Sequence, residues 1–207
     1  MTDISDQYRN VAGAFTERVP AVRPEAWGNP TPCEGWVARD VVRHMVEWMP
    51  GILAGGVEIP RGPSVDDDPV GAWLNLSDAL QAALDDPEVA GREFDMRAGR
   101  FRVDIAISTF CLGDVLVHTW DLARSTGLDE TLDPGEVHLP LEGMEPIDEM
   151  LRASGHYGAS RFPLSASRFP LPASRFPLPA SRFPLPDDAE QARLIPFTGR
   201  DPDASRR

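Results

Sequence analysis

Asp114 and His118 stand four residues apart in GDVLVHTWDLARSTG, Gly113 to Gly127, within a stretch that is otherwise apolar. In a helix that spacing puts both side chains on one face, and Cys111 and Asp121 lie on the same side. An ionised carboxylate in an apolar interior is costly unless it is paired or bound to a metal. His44 raises the same question, because it interrupts the apolar stripe of VVRHMVEW. If the two segments pack together, His44, Asp114 and His118 can converge. Two imidazoles and a carboxylate suit a divalent transition metal, zinc above all. Three protein ligands leave a position open for water or substrate, as catalytic zinc sites do. The simpler alternative is an Asp–His pair that braces a helix bundle, since such pairs are common on helices.

The elements that would carry these residues are legible as apolar stripes. Ile4, Tyr8, Val11, Ala12, Phe15 and Val19 follow helical spacing and stop at Pro20. Residues 22–36, with three prolines and two glycines, read as a loop. Val37, Val41, His44, Met45, Trp48 and Ile52 form a second stripe, with Asp40 near the positive end of its helix dipole. A third helix has Asp68 as N-cap and Pro69 in its first position. Its expected buried stripe is Val70, Trp73, Leu74, Ser77, Leu80 and Leu84, and Pro87 closes it. Residues 90–102 read as a short hairpin or an extended loop. From Val103 to Ser125 the chain is apolar on nearly all sides, which predicts the central helix of a bundle, with Gly127 as C-cap. A fifth helical piece is expected from about Met144 to Ser154, and a short terminal one capped by Asp187 or Asp188 and stopped at Gly199. The fold class is therefore all-α, a four-helix antiparallel bundle with short additions.

The word ASRFPLP recurs from Ala166 to Pro186, after a near-copy that begins at Ala159. Its seven-residue period is not a coiled coil, because the recurring prolines would break each helical turn. The expected organisation is a helical bundle over 1–158, an extended or irregular repeat over 159–186, and a short helix and tail over 187–207 that return to the bundle. Arg161, Arg168, Arg175 and Arg182, each followed by Phe, could present a repeated ligand to an aromatic groove. Passive lengthening of a surface loop is the simpler account.

The 207 residues carry a net charge of −13, which argues against nucleic acid as a partner. The polar, acidic N-terminus is not a signal peptide, and no membrane-spanning stretch is expected. Cys33 and Cys111 cannot make a disulfide framework, so a cytoplasmic protein with free thiols is expected, and a homodimer is one expected assembly.

Two segments carry a family resemblance. TPCEGWVARDVVRHMVEW, Thr31 to Trp48, resembles the second-helix signature of the DinB-like superfamily. More narrowly, it looks like the actinobacterial metal-binding proteins related to the N-terminal domain of mycothiol-dependent maleylpyruvate isomerase. GDVLVHTWDLARSTG resembles the later, ligand-bearing helix of that family, and FTGRDP, Phe197 to Pro202, resembles its ending. The resemblance implies a four-helix bundle with a three-ligand metal site, whose ligands fall on His44, Asp114 and His118. It also implies a divalent ion (zinc, or nickel) and a low-molecular-weight thiol such as mycothiol, in a thiol-dependent transferase or isomerase acting on small electrophiles. The contrasting expectation is a non-catalytic metal-binding or stress-related bundle, or an interaction module.

There are departures from the family pattern. Relatives often have Thr where Val37 stands, and Glu where Asp114 stands. The isomerase's separate C-terminal domain is not expected within this length. Asp121, one turn beyond His118, is placed to orient a ligand, against the simpler expectation of a surface or capping role. Cys33 lies just before helix two and so near the expected site, although a small buried hydrophobe is its commoner fate. Trp36, Trp48 and Trp120 are candidates to wall a pocket. His138 and His156, in polar loop-like settings, are assigned no role.

Overall fold

The computed structural model describes residues 3–96, 99–138 and 187–202. They fall into two compact units, one up to Leu132 and one from Asp133 onward. The candidate site belongs wholly to the first.

Four long helices make up most of the described first unit, with a short helical turn, Pro87–Ala90, after the third. Helix α1, Ile4–Arg18, begins where the Asp3 carboxylate accepts the Ser5 N–H, and it buries Tyr8, Val11, Ala12 and Phe15. Helix α2, Ala38–Ile52, follows a connection that contains two 3-10 turns, Val19–Ala21 and Pro24–Gly28. Val37 has no side-chain cap to offer, and its extended backbone takes the N-cap position instead. Its N–H donates to the Asp40 carboxylate at 3.0 Å, which is half of a capping box. Helix α3, Pro69–Asp85, starts as expected, with Asp68 accepting the Gly71 N–H at 2.8 Å. Helix α4 runs from Val103 to Thr126. It is α-helical at both ends but makes a π turn over Ile107–Cys111. Gly127 ends it at φ 75°, a left-handed conformation that glycine adopts without strain.

The packing is a ring in the order α1, α3, α2, α4. Although consecutive in the chain, α1 and α2 stand diagonally. The long Val19–Val37 connection is what allows this. It also makes α2 and α4 neighbours, although they are distant in sequence. Phe15 meets Trp73 edge-on at 4.6 Å, and the Trp73 indole N–H donates to Thr16 Oγ1 at 2.8 Å. Arg18 ties the end of α1 to the carbonyls of Asp129 and Thr131.

Two stripes shifted slightly from expectation. On α3, Leu74 is exposed and Leu76 is buried. On α2 the fully buried line is Ala38, Val41, Val42, Met45 and Met49, while His44 and Trp48 sit half-buried on its flank. A core residue must face the bundle axis, whereas an edge residue need only be apolar on one side. Within residues 90–102 two strands pair: β1, Glu93–Met96, is antiparallel to β2, Gly99–Arg102. Phe94 is buried over Gly56, where an added Cβ would fall 2.7 Å from the ring.

By length and composition α4 could cross a membrane, contrary to the expectation that no such stretch exists. In this fold it is the bundle's central helix, packed on α1 and α2, with Val115, Leu116, Trp120, Leu122 and Ala123 buried.

The second unit holds helical residues 134–138 and helix α5, Asp187–Phe197, which ends two residues before the expected stop at Gly199. His138 Nδ1 pairs with Glu190 Oε1 at 2.8 Å. The expected helix at Met144–Ser154, His156 and the ASRFPLP repeat lie outside the described residues.

Asp68→Ala should lower unfolding free energy by about 1 kcal/mol, the usual cost of a lost N-cap. Urea unfolding should show a lower midpoint with an unchanged slope. An unchanged midpoint would mean that the cap contributes nothing.

Candidate metal centre

The π turn of α4 sits immediately before the residues that matter. It inserts one residue into the helical register, and such turns occur often at functional sites. Beyond it, Asp114, His118 and Asp121 lie on successive turns of α4, and His44 meets them from α2. His44 Nε2 is 3.2 Å from Asp114 Oδ2, and His118 Nε2 is 3.5 Å from Asp114 Oδ1. The Trp48 indole N–H also donates to Asp114 Oδ2, at 3.1 Å. On its other side, His118 Nδ1 donates to Asp121 Oδ2 at 2.8 Å.

This network explains how charge survives in the bundle. Burial works against an ionised Asp114, but the imidazoles of His118 and His44 outweigh it and hold the carboxyl well below its ordinary range. Burial likewise works against charge on His118. Asp114 and Asp121 reverse that effect and raise its pKa to about 9. Beside Asp114, the Cys111 thiol is simply buried, which pushes its pKa up and leaves it an unreactive part of the core.

Aromatic rings enclose the cluster. Trp36 stacks on His118 with centroids 5.8 Å apart and planes at 17°, and lies 5.1 Å from the His44 ring. Trp48 flanks His44 at 5.7 Å. Trp36 arrives from the loop before α2. That loop is closed by an isolated bridge between Pro30 and Val37 and by Gly35 at φ 79°. The Asn29 side chain anchors it to the Ser125 carbonyl at the end of α4. Trp120 does not join the wall; it is buried, with Arg124 over its ring.

The donor set fits a small divalent cation. One donor atom from each of His44, Asp114 and His118 lies within 4.8 Å of the others. Ligand bonds of about 2.1 Å in a tetrahedron place donors about 3.4 Å apart, so little movement is needed. Asp121 holds the Nδ1 proton of His118, which fixes the tautomer that offers Nε2 to a cation. Supporting carboxylates do this for metal-binding histidines generally.

The three residues singled out from the sequence are therefore brought together. Asp121 is fully buried and pairs with His118, so its expected surface or capping role is set aside. Cys33 lies at the cluster's edge, with Sγ 3.5 Å from Asp121 Oδ2. The contact that sequence reasoning missed is Trp48 to Asp114. Its signal was there, because Trp48 stands four residues after His44 and so shares its helix face.

A model of the mycothiol maleylpyruvate isomerase N-terminal domain matches residues 8–123, a span that contains every residue of this cluster. Two uncharacterized proteins of Mycobacterium tuberculosis, from strains CDC 1551 / Oshkosh and H37Rv, are each 30% identical to the chain over 132 residues. Each alignment covers 61% of this chain and 69% of the relative. No solved structure matches with significance.

The charged cluster makes the metal-free protein pH-sensitive. His118 rises from 6.5 to about 9 on folding, so its stabilisation is complete below pH 6.5 and is lost as pH climbs through about 9. With a chelator present, urea stability should decline across that window, and His118→Gln should remove the decline. Identical profiles for the two proteins would exclude His118 as the source.

Proposed function

We propose a function from one premise: the chain belongs to the family of the mycothiol maleylpyruvate isomerase N-terminal domain. In this reading His44, Asp114 and His118 hold a divalent ion, zinc or nickel. The protein then acts with a low-molecular-weight thiol of the mycothiol type on small electrophiles, as a transferase or isomerase. The observation that carries the reading is the meeting of two imidazoles and a carboxylate from α2 and α4, with His118 oriented by the buried Asp121.

A divalent ion in this place supplies one thing, a bound thiol held as its thiolate at neutral pH. The chain's own residues supply the rest. His118 would have to give up its Nε2 proton to act as a ligand, so binding would release a proton and strengthen as pH rises. Asp114, which accepts from His44, Trp48 and His118, would be the anionic ligand, while Asp121 keeps the His118 ring in place. Trp36 and Trp48 flank the two imidazoles with apolar rings, which would limit how much water competes with the thiol.

Protein purified without a histidine tag should bind about one equivalent of Zn²⁺ or Ni²⁺, the stoichiometry of a single three-ligand site. His44→Ala should weaken binding by about 10-fold or more, comparable to losing a supporting group. The same variant should lose thiol-adduct formation on a panel of electrophiles. Binding well below half an equivalent in the parent protein would end the metal reading. Metal binding without adduct formation would favour the non-catalytic bundle.

A further inference from the structure

His118 faces two donor groups, and the reading above uses only one of its nitrogens. The Nδ1 side meets Asp121 Oδ2 at 2.8 Å, and Asp121 Oδ2 in turn meets Cys33 Sγ at 3.5 Å. Those three donor atoms lie within 4.8 Å of one another, the same closeness as in the His44, Asp114 and His118 group. Asp121 is fully buried and His118 nearly so, and Cys33 reaches them from the loop before α2.

We infer that Cys33, Asp121 and His118 Nδ1 form a second cation position, selective for soft thiophilic ions, which shares its imidazole with the first. Thiolate sulfur prefers ions such as Cd²⁺, Zn²⁺ and Cu⁺, whereas the first group offers only nitrogen and oxygen. Binding at the second position releases the Cys33 thiol proton and the His118 Nδ1 proton to solvent. The ring then keeps its proton on Nε2, where Asp114 accepts it. Each position therefore uses one tautomer of His118, and a cation at one disfavours a cation at the other.

The local structure suits such a role. Cys33 is partly exposed on the Thr31–Trp36 turn, which gives an ion access. The Thr31 hydroxyl accepts the Cys33 N–H at 3.1 Å, and the Cys33 carbonyl accepts the Trp36 N–H at 3.1 Å, so the thiol is held over α4. Cys111, the other thiol, is fully buried in the core and serves as an internal control.

Titration of the metal-free full chain with Cd²⁺, followed by the ultraviolet thiolate-to-cadmium charge-transfer band, tests this. The band should appear in the parent protein and persist in His44→Ala, Asp114→Asn and Cys111→Ala. Cys33→Ser should abolish it and weaken Cd²⁺ binding at this position by about 10- to 100-fold, the range seen when a group that holds a metal in place is lost. Because a variant can fail to fold, a second measurement uses the parent protein alone. Modification of Cys33 by a thiol reagent should slow on addition of Cd²⁺. No band in the parent protein, a band that survives Cys33→Ser, or unchanged Cys33 reactivity with Cd²⁺ would each overturn the inference. Loss of Zn²⁺ binding in His44→Ala with the Cd²⁺ band intact would separate the two positions.

Discussion

The Asp114 carboxylate is the constraint around which the first unit is arranged. It stands on the longest helix among the described residues, in a largely buried segment where an unpaired charge would be unfavourable by several kcal/mol. It is tolerated because three donors converge on it: His44 and Trp48 from α2, and His118 from its own helix. Two of the three come from a neighbouring helix, so the register between α2 and α4 is tied to the pairing. A slide of one turn between these helices would leave the carboxylate without its α2 partners and His44 facing apolar side chains. The hydrophobic core of Val41, Met45, Met49, Val115 and Leu122 supplies the bulk of the driving force. It is not selective about register, since apolar residues recur every turn on both helices. The polar cluster is selective.

The diagonal placement of α1 and α2 serves the same end. If α2 had folded straight back on α1, α4 would have taken a different neighbour. The connection from Val19 to Val37 carries two 3-10 turns and a bridged loop before α2 begins. That length lets α2 cross to the far corner and approach α4, and it leaves a loop over the outside of the site. Arg18, which binds the Asp129 and Thr131 carbonyls, and Asn29, which binds the Ser125 carbonyl, fasten both ends of this arrangement to the last turn of α4 and the segment that follows it.

Much of this was legible in the sequence, for reasons that differ by element. Asp68 before Pro69, and Gly127 after Thr126, mark helix ends through local chemistry, and local chemistry survives folding. Asp114 and His118 were legible because their spacing places them on one face and their polarity conflicts with their surroundings. His44 was harder: it lies beside the apolar line of α2 rather than on it, and only packing against α4 gives it a partner. The exchange of Leu74 for Leu76 has a similar origin. α3 meets both α1 and α2, and the two contacts together bury a face wider than one stripe. The π turn was not legible. Ile107–Cys111 has no unusual residue, and the extra residue in the turn becomes visible only once both ends of α4 are packed.

A division of labour follows from where the residues sit. Asp114, His118 and Asp121 belong to a single helix, and His44 and Trp48 to its neighbour, so their relative positions are as rigid as the core. Cys33 and Trp36 belong to a loop held by a few backbone hydrogen bonds and one side-chain anchor. A chain descended from the same bundle can keep the helix-borne donors while changing the loop, at little cost to the fold. Conserved chemistry in such a family would then reside in α2 and α4, and differences in what approaches the site would reside between Asn29 and Val37. Trp36 lies at the join, because it is a loop residue whose ring rests on both imidazoles. Its position controls how much of the His44 and His118 edges an incoming molecule can reach. Exchanging this loop therefore alters access to the cluster without altering the cluster.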